Sequence, residues 1–520
     1  MAAKQAVTAV EAHLAATRWQ LRLGVAVVAL LIAFAVVVLG VGLCAALRLS
    51  GSATPRYASD VDHFKYGSIG SEPQSGVPYA VWKALPALYP AQFEGRNDYT
   101  AFGFLYETDA QGHRKDLPIG VSKRQVNGVD VVWLNCATCH TGTWRASAGG
   151  PVHVVPGMPS NNLDFHRFVS VLLVAAADER LEPADLFGPM EKAGAHLDWF
   201  DRLVWQAAVM PRFREGLIRV RGRLDPLLKR QSPWGPGRVD TFNPYKLIQF
   251  GTPAASLTEA EVHGVSDFPA IFNQRPREGM ELHWDGNNTS LQERNLSAAI
   301  GAGVTPKTVD HASLRRVAGW LMDLPAPESP NYPDLGAVAR GKQTYAAECA
   351  ACHGTQEASG YVFKGAKLGK VTPIALIGTD RARLDSYTKE FRAQQLDKMF
   401  AGTPYQFRHF RKTDGYANQP LDGLWLRGPY LHNGSVPTLA DLLKPPAERP
   451  RAFLRGQGQD VVDPVNGGFR ATPCTPGQPT PRGTACYDTA LAGNGNGGHV
   501  YGVGLTPDQK ADLLAYLLTF

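Results

Sequence analysis

No run of lysine and arginine occurs in the 520 residues, and the net charge of +6 is spread along the chain. Without a basic block there is no electrostatic footprint for nucleic acid. A weakly basic surface suits an acidic redox partner, although an ordinary solvated surface accounts for it more simply. Charge is missing altogether from Leu23 to Leu47, 25 residues dominated by Leu, Val and Ala. Such a run can span a hydrocarbon core of about 30 Å. The apolar region of a signal peptide is shorter, roughly 7–15 residues, and an amphipathic core helix would carry a polar face. Lys4, Arg18 and Arg22 precede the run, so residues 1–22 are expected to stay cytoplasmic, with 23–47 as a single-pass anchor. The chain beyond Arg48 is then expected outside the inner membrane, in the periplasm of a Gram-negative cell. Cleavage near Ala53 is the alternative, and bulky Leu43 before Cys44 argues against a lipoprotein site.

Cysteine is sparse, at seven. Cys44 lies in the apolar run and reads as a small apolar residue. Cys474 and Cys486 lie in a Gly/Pro/Thr-rich segment, 466–498, and are expected to form a disulfide in an oxidising compartment. The other four form two Cys-x-x-Cys-His motifs, Cys136-Ala137-Thr138-Cys139-His140 and Cys349-Ala350-Ala351-Cys352-His353. Two cysteines at this spacing can bond the vinyl groups of one haem edge, and the adjacent histidine then falls under the iron. One zinc site built from both motifs would have to gather distant segments around one ion. A thioredoxin-like dithiol needs a βαβ setting that the sequence does not offer. The motifs therefore predict two covalently bound haem c groups, with His140 and His353 as iron ligands.

Around the second motif, Gly341 to Ala350 reads as a helix ended by Gly354, the start of a class I cytochrome c domain. Glycine (53) and proline (38) are both plentiful and favour long loops. Helical stretches are expected at 163–177, 197–208 and, at the chain end, 506–518. Four prolines between Pro325 and Pro333 exclude a helix there and mark a linker. The expected fold is mainly α with long loops: an N-terminal transmembrane helix plus two cytochrome c-like haem domains, 48–330 and 331–520. No repeat is visible beyond the two motifs.

Several segments resemble dihaem cytochromes related to the rubber oxygenase. They are Phe64-Lys65-Tyr66-Gly67-Ser68-Ile69-Gly70; Val132-Trp133-Leu134-Asn135 with Thr141-Gly142-Thr143; Leu282-His283-Trp284-Asp285-Gly286-Asn287-Asn288; Glu293-Arg294-Asn295-Leu296-Ser297; and Leu426 to Pro437. The wider superfamily includes bacterial dihaem cytochrome c peroxidases and MauG-type enzymes, which share a Pro-Tyr-x-His-x-Gly segment. The resemblance implies an N-terminal haem with an open or oxygen-bound distal side and a C-terminal haem with two histidine ligands. The second of those matches His499, which small flexible neighbours allow to approach iron. Met399, the rival ligand, sits on a plausible helix where packing is commoner, and His432 reads as a structural hydrogen-bonder. The resemblance also places Trp284 on the distal side of the first haem, to wall off the site or carry an electron. Glu293 is then the nearest acid/base for O–O chemistry, and Asn288 a residue to orient distal water. The sequence departs from the family in two ways. A distal Phe of the rubber oxygenase aligns by spacing with Ala299, implying a roomier pocket, and an anchored chain is ill suited to bulk polymer.

Two functions compete. One is an oxidoreductase using O2 or peroxide at the first haem, acting on a small-molecule oxidant or organic substrate, with the second haem relaying electrons. The other is a membrane-anchored electron-transfer cytochrome that serves a redox partner protein.

Overall fold

The computed structural model describes residues 1–520 and divides into two compact units, Met1–Ala53 with Gln125–Val129, and Thr54–Arg124 with Asp130–Phe520. The first unit is essentially one helix, Ala2–Arg48. Its apolar stretch has a mean hydropathy of 3.0 and none of it is buried. By length and composition it can cross a membrane, and an anchor and a signal sequence both fit that description.

The second unit holds both Cys-x-x-Cys-His motifs. Helix is the commoner element (44%, against 12% strand), and the strands form small sheets, all but one two-stranded. Each motif follows a helix that packs on a later one. In the first half, helix Asp60–Tyr66 is capped by Ser59, and helix His311–Met322 by Asp310. They meet through Phe64, Val317 and Leu321, with an Arg316–Asp60 ion pair at 2.6 Å. In the second half, helix Leu335–Glu348 is capped by Asp334. Helix Pro507–Leu517 has Thr506 and Gln509 in a capping box and proline at its first position. These two touch at the backbone: a Cβ on Gly341 would lie 1.9 Å from the Asp512 carbonyl oxygen, so only glycine permits the crossing. Gly354, at φ +75°, ends the turn that carries His353. Residues 325–333 contain no helix. Cys474 and Cys486 are disulfide-bonded, as the sequence predicts.

A repeat that the sequence conceals runs through both halves. Strands Arg238–Asp240 and Val265–Asp267 pair antiparallel, as do Val371–Pro373 with Gly415–Ala417. After each pair comes a loop closed by one backbone bridge, Leu282 to Asn288 in the first half and Tyr430 to Val436 in the second. The loops place positive φ at matching positions, His283 (64°) with Leu431 (70°) and Gly286 (62°) with Gly434 (66°). Each loop then enters a helix through a hydroxyl cap, Ser290 or Thr438. Apart from glycine at one position, the two loops share almost no side chains, so the repeat is one of backbone conformation.

Candidate haem sites

In the first motif, Asn135 fixes the turn. Its side chain accepts from Ala137 N at 3.0 Å and donates to Gly67 O at 3.0 Å. Thr138 donates to Gly120 O at 2.6 Å. His140 Nδ1 lies 3.0 Å from Pro269 O. A carbonyl only accepts, so Nδ1 carries the proton and Nε2 keeps its lone pair. The second motif repeats this: His353 Nδ1 lies 2.8 Å from Gln419 O. Burial holds both imidazoles below their ordinary pKa, His140 at about 4. They are therefore neutral near pH 7, the form a metal requires.

The thiols point the same way. Burial pushes Cys136 up to about 11, and Cys139 and Cys349 to about 12. Surroundings that penalise a thiolate suit a thioether, which carries no charge, and suit zinc ligation poorly. All four cysteines keep intermediate exposure despite their depth, as residues on the wall of a cleft do. The residues present thus fit a covalently bound haem at each motif.

The two clefts differ on the face opposite the proximal histidine. The His353 and His499 ring centres are 6.2 Å apart, the only two histidine rings so paired. Two imidazoles bound to one metal through nitrogens at about 2 Å on each side stand roughly this far apart. His499 has φ 45°. Its pKa is lowered to about 4, by burial first and by His353 second, and its Nδ1 has no partner beyond the residue's own backbone. Arg449 holds the approach by donating to the carbonyls of Asn496, Gly498 and His499. Met399 packs among Phe242, Tyr387, Phe391 and Phe400 in an aromatic cluster. Around the first motif, Ile69, Ala299 and Val304 form an apolar wall against Cys136, and no histidine ring faces His140 as His499 faces His353.

Trp284 lies between the two ligand anchors. Its indole N–H donates to Asp267 O at 2.9 Å, two residues before the carbonyl that holds His140. Its own carbonyl accepts from Ala417 N at 2.8 Å, two residues before the carbonyl that holds His353. The repeat makes this contact reciprocal: His432, at the place of Trp284 in the second loop, accepts from Asp267 N at 2.9 Å. The His432 ring meets the Tyr416 hydroxyl at 2.9 Å, the structural hydrogen bond expected of it.

Glu293 is buried and carries a heavy load. Its carboxylate accepts from Arg408 N (2.8 Å), His409 N (2.9 Å), His409 Nδ1 (2.7 Å) and Asn288 Nδ2 (3.2 Å). Asn288 Oδ1 in turn accepts from Ser290 N at 2.7 Å. The pair thus ties the loop to its helix and to residues 408–409, an arrangement that favours positioning over proton exchange. Sequence reasoning gave no role to Pro269, Gln419, His283 or Arg294. The first two act through backbone carbonyls, which leave no residue signature. Gln419 also donates from its side chain to His283 O at 2.9 Å.

Comparison with known proteins agrees with this division. A model described as RoxA-like, cytochrome c-like matches residues 415–454, across the second loop. One for cytochrome C oxidase, cbb3-type, subunit III matches 336–401, which contain the second motif. A Y4iN-like domain matches 61–140, which end on His140. Uncharacterized protein y4iM of Sinorhizobium fredii is 30% identical over 253 residues, 45% of this chain and 57% of that protein. Uncharacterized protein y4iJ of the same organism is 39% identical over 120 residues, 20% of this chain and 17% of that protein. The chain therefore covers little more than half of one relative and a small part of the other. The cytochrome matches make it a c-type cytochrome related to the RoxA-like proteins, with covalently bound haem c and a haem-based redox or electron-transfer role.

Proposed function

We propose that the chain is a membrane-anchored dihaem oxidoreductase of the periplasm, allied to the dihaem peroxidase and MauG-type superfamily, that uses O2 or peroxide at the first haem and relays electrons through the second. Residues 1–22 form the cytoplasmic tail, 23–47 the anchor, and 48–330 and 331–520 the two haem domains. The observation that carries this reading is the contrast between the clefts: His499 faces His353, whereas apolar side chains stand against Cys136.

Haem c supplies one-electron transfer and, where an iron face is open, binding of O2 or peroxide. The chain's own residues do the rest. Pro269 and Gln419 hold the Nδ1–H of His140 and His353, which fixes each ring and aims Nε2. His499 closes the second iron, which suits electron storage over substrate binding. Trp284, tied to the backbone beside both anchors, gives a short aromatic route between the haems. Ala299 leaves room at the first site for an organic substrate. Glu293 and Asn288 keep that side of the loop in place. The anchor would hold both haems near membrane donors or a soluble redox partner.

Low-temperature EPR of the fully matured ferric protein tests the reading. One high-spin and one low-spin signal are expected. Two low-spin signals that persist after half-reduction would mean both irons are closed, and the chain would then serve electron transfer alone.

A further inference from the structure

The deep guanidinium groups of this chain have carboxylate partners, with two exceptions. Arg238 and Arg455 share Asp267 at 3.7 and 2.9 Å. Arg383 has Asp285 at 3.1 Å. Arg277 and Arg427 share Asp422 at 2.5 and 2.8 Å. Arg449, the first exception, is satisfied by backbone carbonyls. Arg294 is the second, and its hydrogen bonds, at 3.2 and 3.0 Å, go to the neutral side chain of Asn295. Burial lowers it to about 9, so it remains charged at neutral pH. Its field reaches His140 and His283 but not His353, which places it on the first cleft. An ionised group so deep is costly without an opposite charge.

The neighbours compound the imbalance. Arg294 is also felt by Arg277, and Arg277 by Arg427, so three guanidinium groups surround the single carboxylate of Asp422. Two further buried donors have no acceptor: Gln274 Nε2, whose carbonyl end receives Asn295 at 3.5 Å, and Arg427 Nε. Surplus positive charge and unmatched donors at one place call for an anion with carboxylate-like oxygens. A haem held by Cys136 and Cys139 carries two carboxylates on the edge away from its thioether bonds.

We infer that Arg294, with Gln274 beside it, is the subsite that receives a carboxylate of the first haem. The guanidinium fork binds the carboxylate in two places and so fixes the haem edge opposite the cysteines. This rests on haem being attached at the first motif.

The test uses the full-length chain matured with haem. Pyridine haemochrome per chain is measured first, and fewer than two haems in the wild type would defeat the dihaem reading before the subsite is addressed. The midpoint potential of the first haem is then followed against pH. In the wild type the paired carboxylate stays ionised and the potential is flat near neutral pH. In Arg294→Gln the carboxylate loses its counter-ion, its pKa rises with burial, and the potential acquires a slope approaching a tenfold change in the ferric–ferrous ratio per pH unit, or 59 mV. Arg294→Lys should remain nearly flat. A potential displaced equally at every pH, or unmoved, overturns the assignment. If Arg294→Gln does not accumulate, the resonance Raman propionate band in Arg294→Lys and Gln274→Leu replaces it; a shift supports the subsite and an unmoved band overturns it.

Discussion

Replacing His499 by glycine isolates the role of one imidazole. His499 has φ 45°, a conformation costly for any side chain but open to glycine, so His499→Gly removes the ring without new backbone strain. Loss of the buried ring leaves a cavity worth about 2–4 kcal/mol, and relief of the left-handed backbone returns about 1 kcal/mol. The protein should therefore still fold and mature. With the 6.2 Å ring pair broken, half of the bound haem should turn from low-spin to high-spin. Added imidazole should restore the low-spin band by entering the gap. Electronic absorption and low-temperature EPR read both effects. A second haem that stays low-spin with unchanged g values would refute the reasoning and transfer the ligand role elsewhere. Met399, packed in an aromatic cluster, is a poor heir.

Trp284→Phe keeps the ring volume but loses the 2.9 Å bond to Asp267 O. It should cost about 1 kcal/mol and slow electron exchange between the haems in stopped-flow half-reduction, with haem content unchanged. Glu293→Gln keeps shape but weakens the bonds to Arg408 and His409; thermal melting should show a loss of about 1–3 kcal/mol, while an unaltered pH profile of turnover would confirm positioning over acid/base chemistry. His283 is held at about 4 by burial, below an unfolded value near 6.5. The unfolded chain therefore takes up the proton first, and stability should fall by roughly 3 kcal/mol as pH drops from about 6.5 to 4. His283→Asn should show less of this loss in urea titrations at the two ends of that range. Opening the Cys474–Cys486 disulfide, which spans 12 residues, with a Cys→Ser pair should cost about 3 kcal/mol of stability and leave both haem spectra intact.

How much the sequence disclosed, and how much it hid, depends on which atoms do the work. Cysteine spacing announces haem because the thioethers are made by side chains. His499 could be picked out from its small neighbours and from family resemblance. The repeated loop could not. His283 and Leu431 occupy the same backbone region, and Trp284 and His432 the same turn, but hydrogen bonds between main-chain groups hold both loops, and these tolerate nearly any residue. The carbonyls of Pro269 and Gln419 are silent for the same reason. Arg294 sits one residue from Glu293 and looks like any surface arginine on a helix; only the three-dimensional count of carboxylates singles it out.

The reciprocal bonds, Ala417 N to Trp284 O and Asp267 N to His432 O, have the form of an isologous contact, in which each partner offers the other the same surface. Two identical chains meeting this way would be bound to identical metal surroundings. Tethering the copies on one polypeptide lifts that restriction. One turn can then keep an indole and the other an imidazole, and a single molecule gains two unlike irons at a fixed separation, a division of labour no symmetric pair could reach.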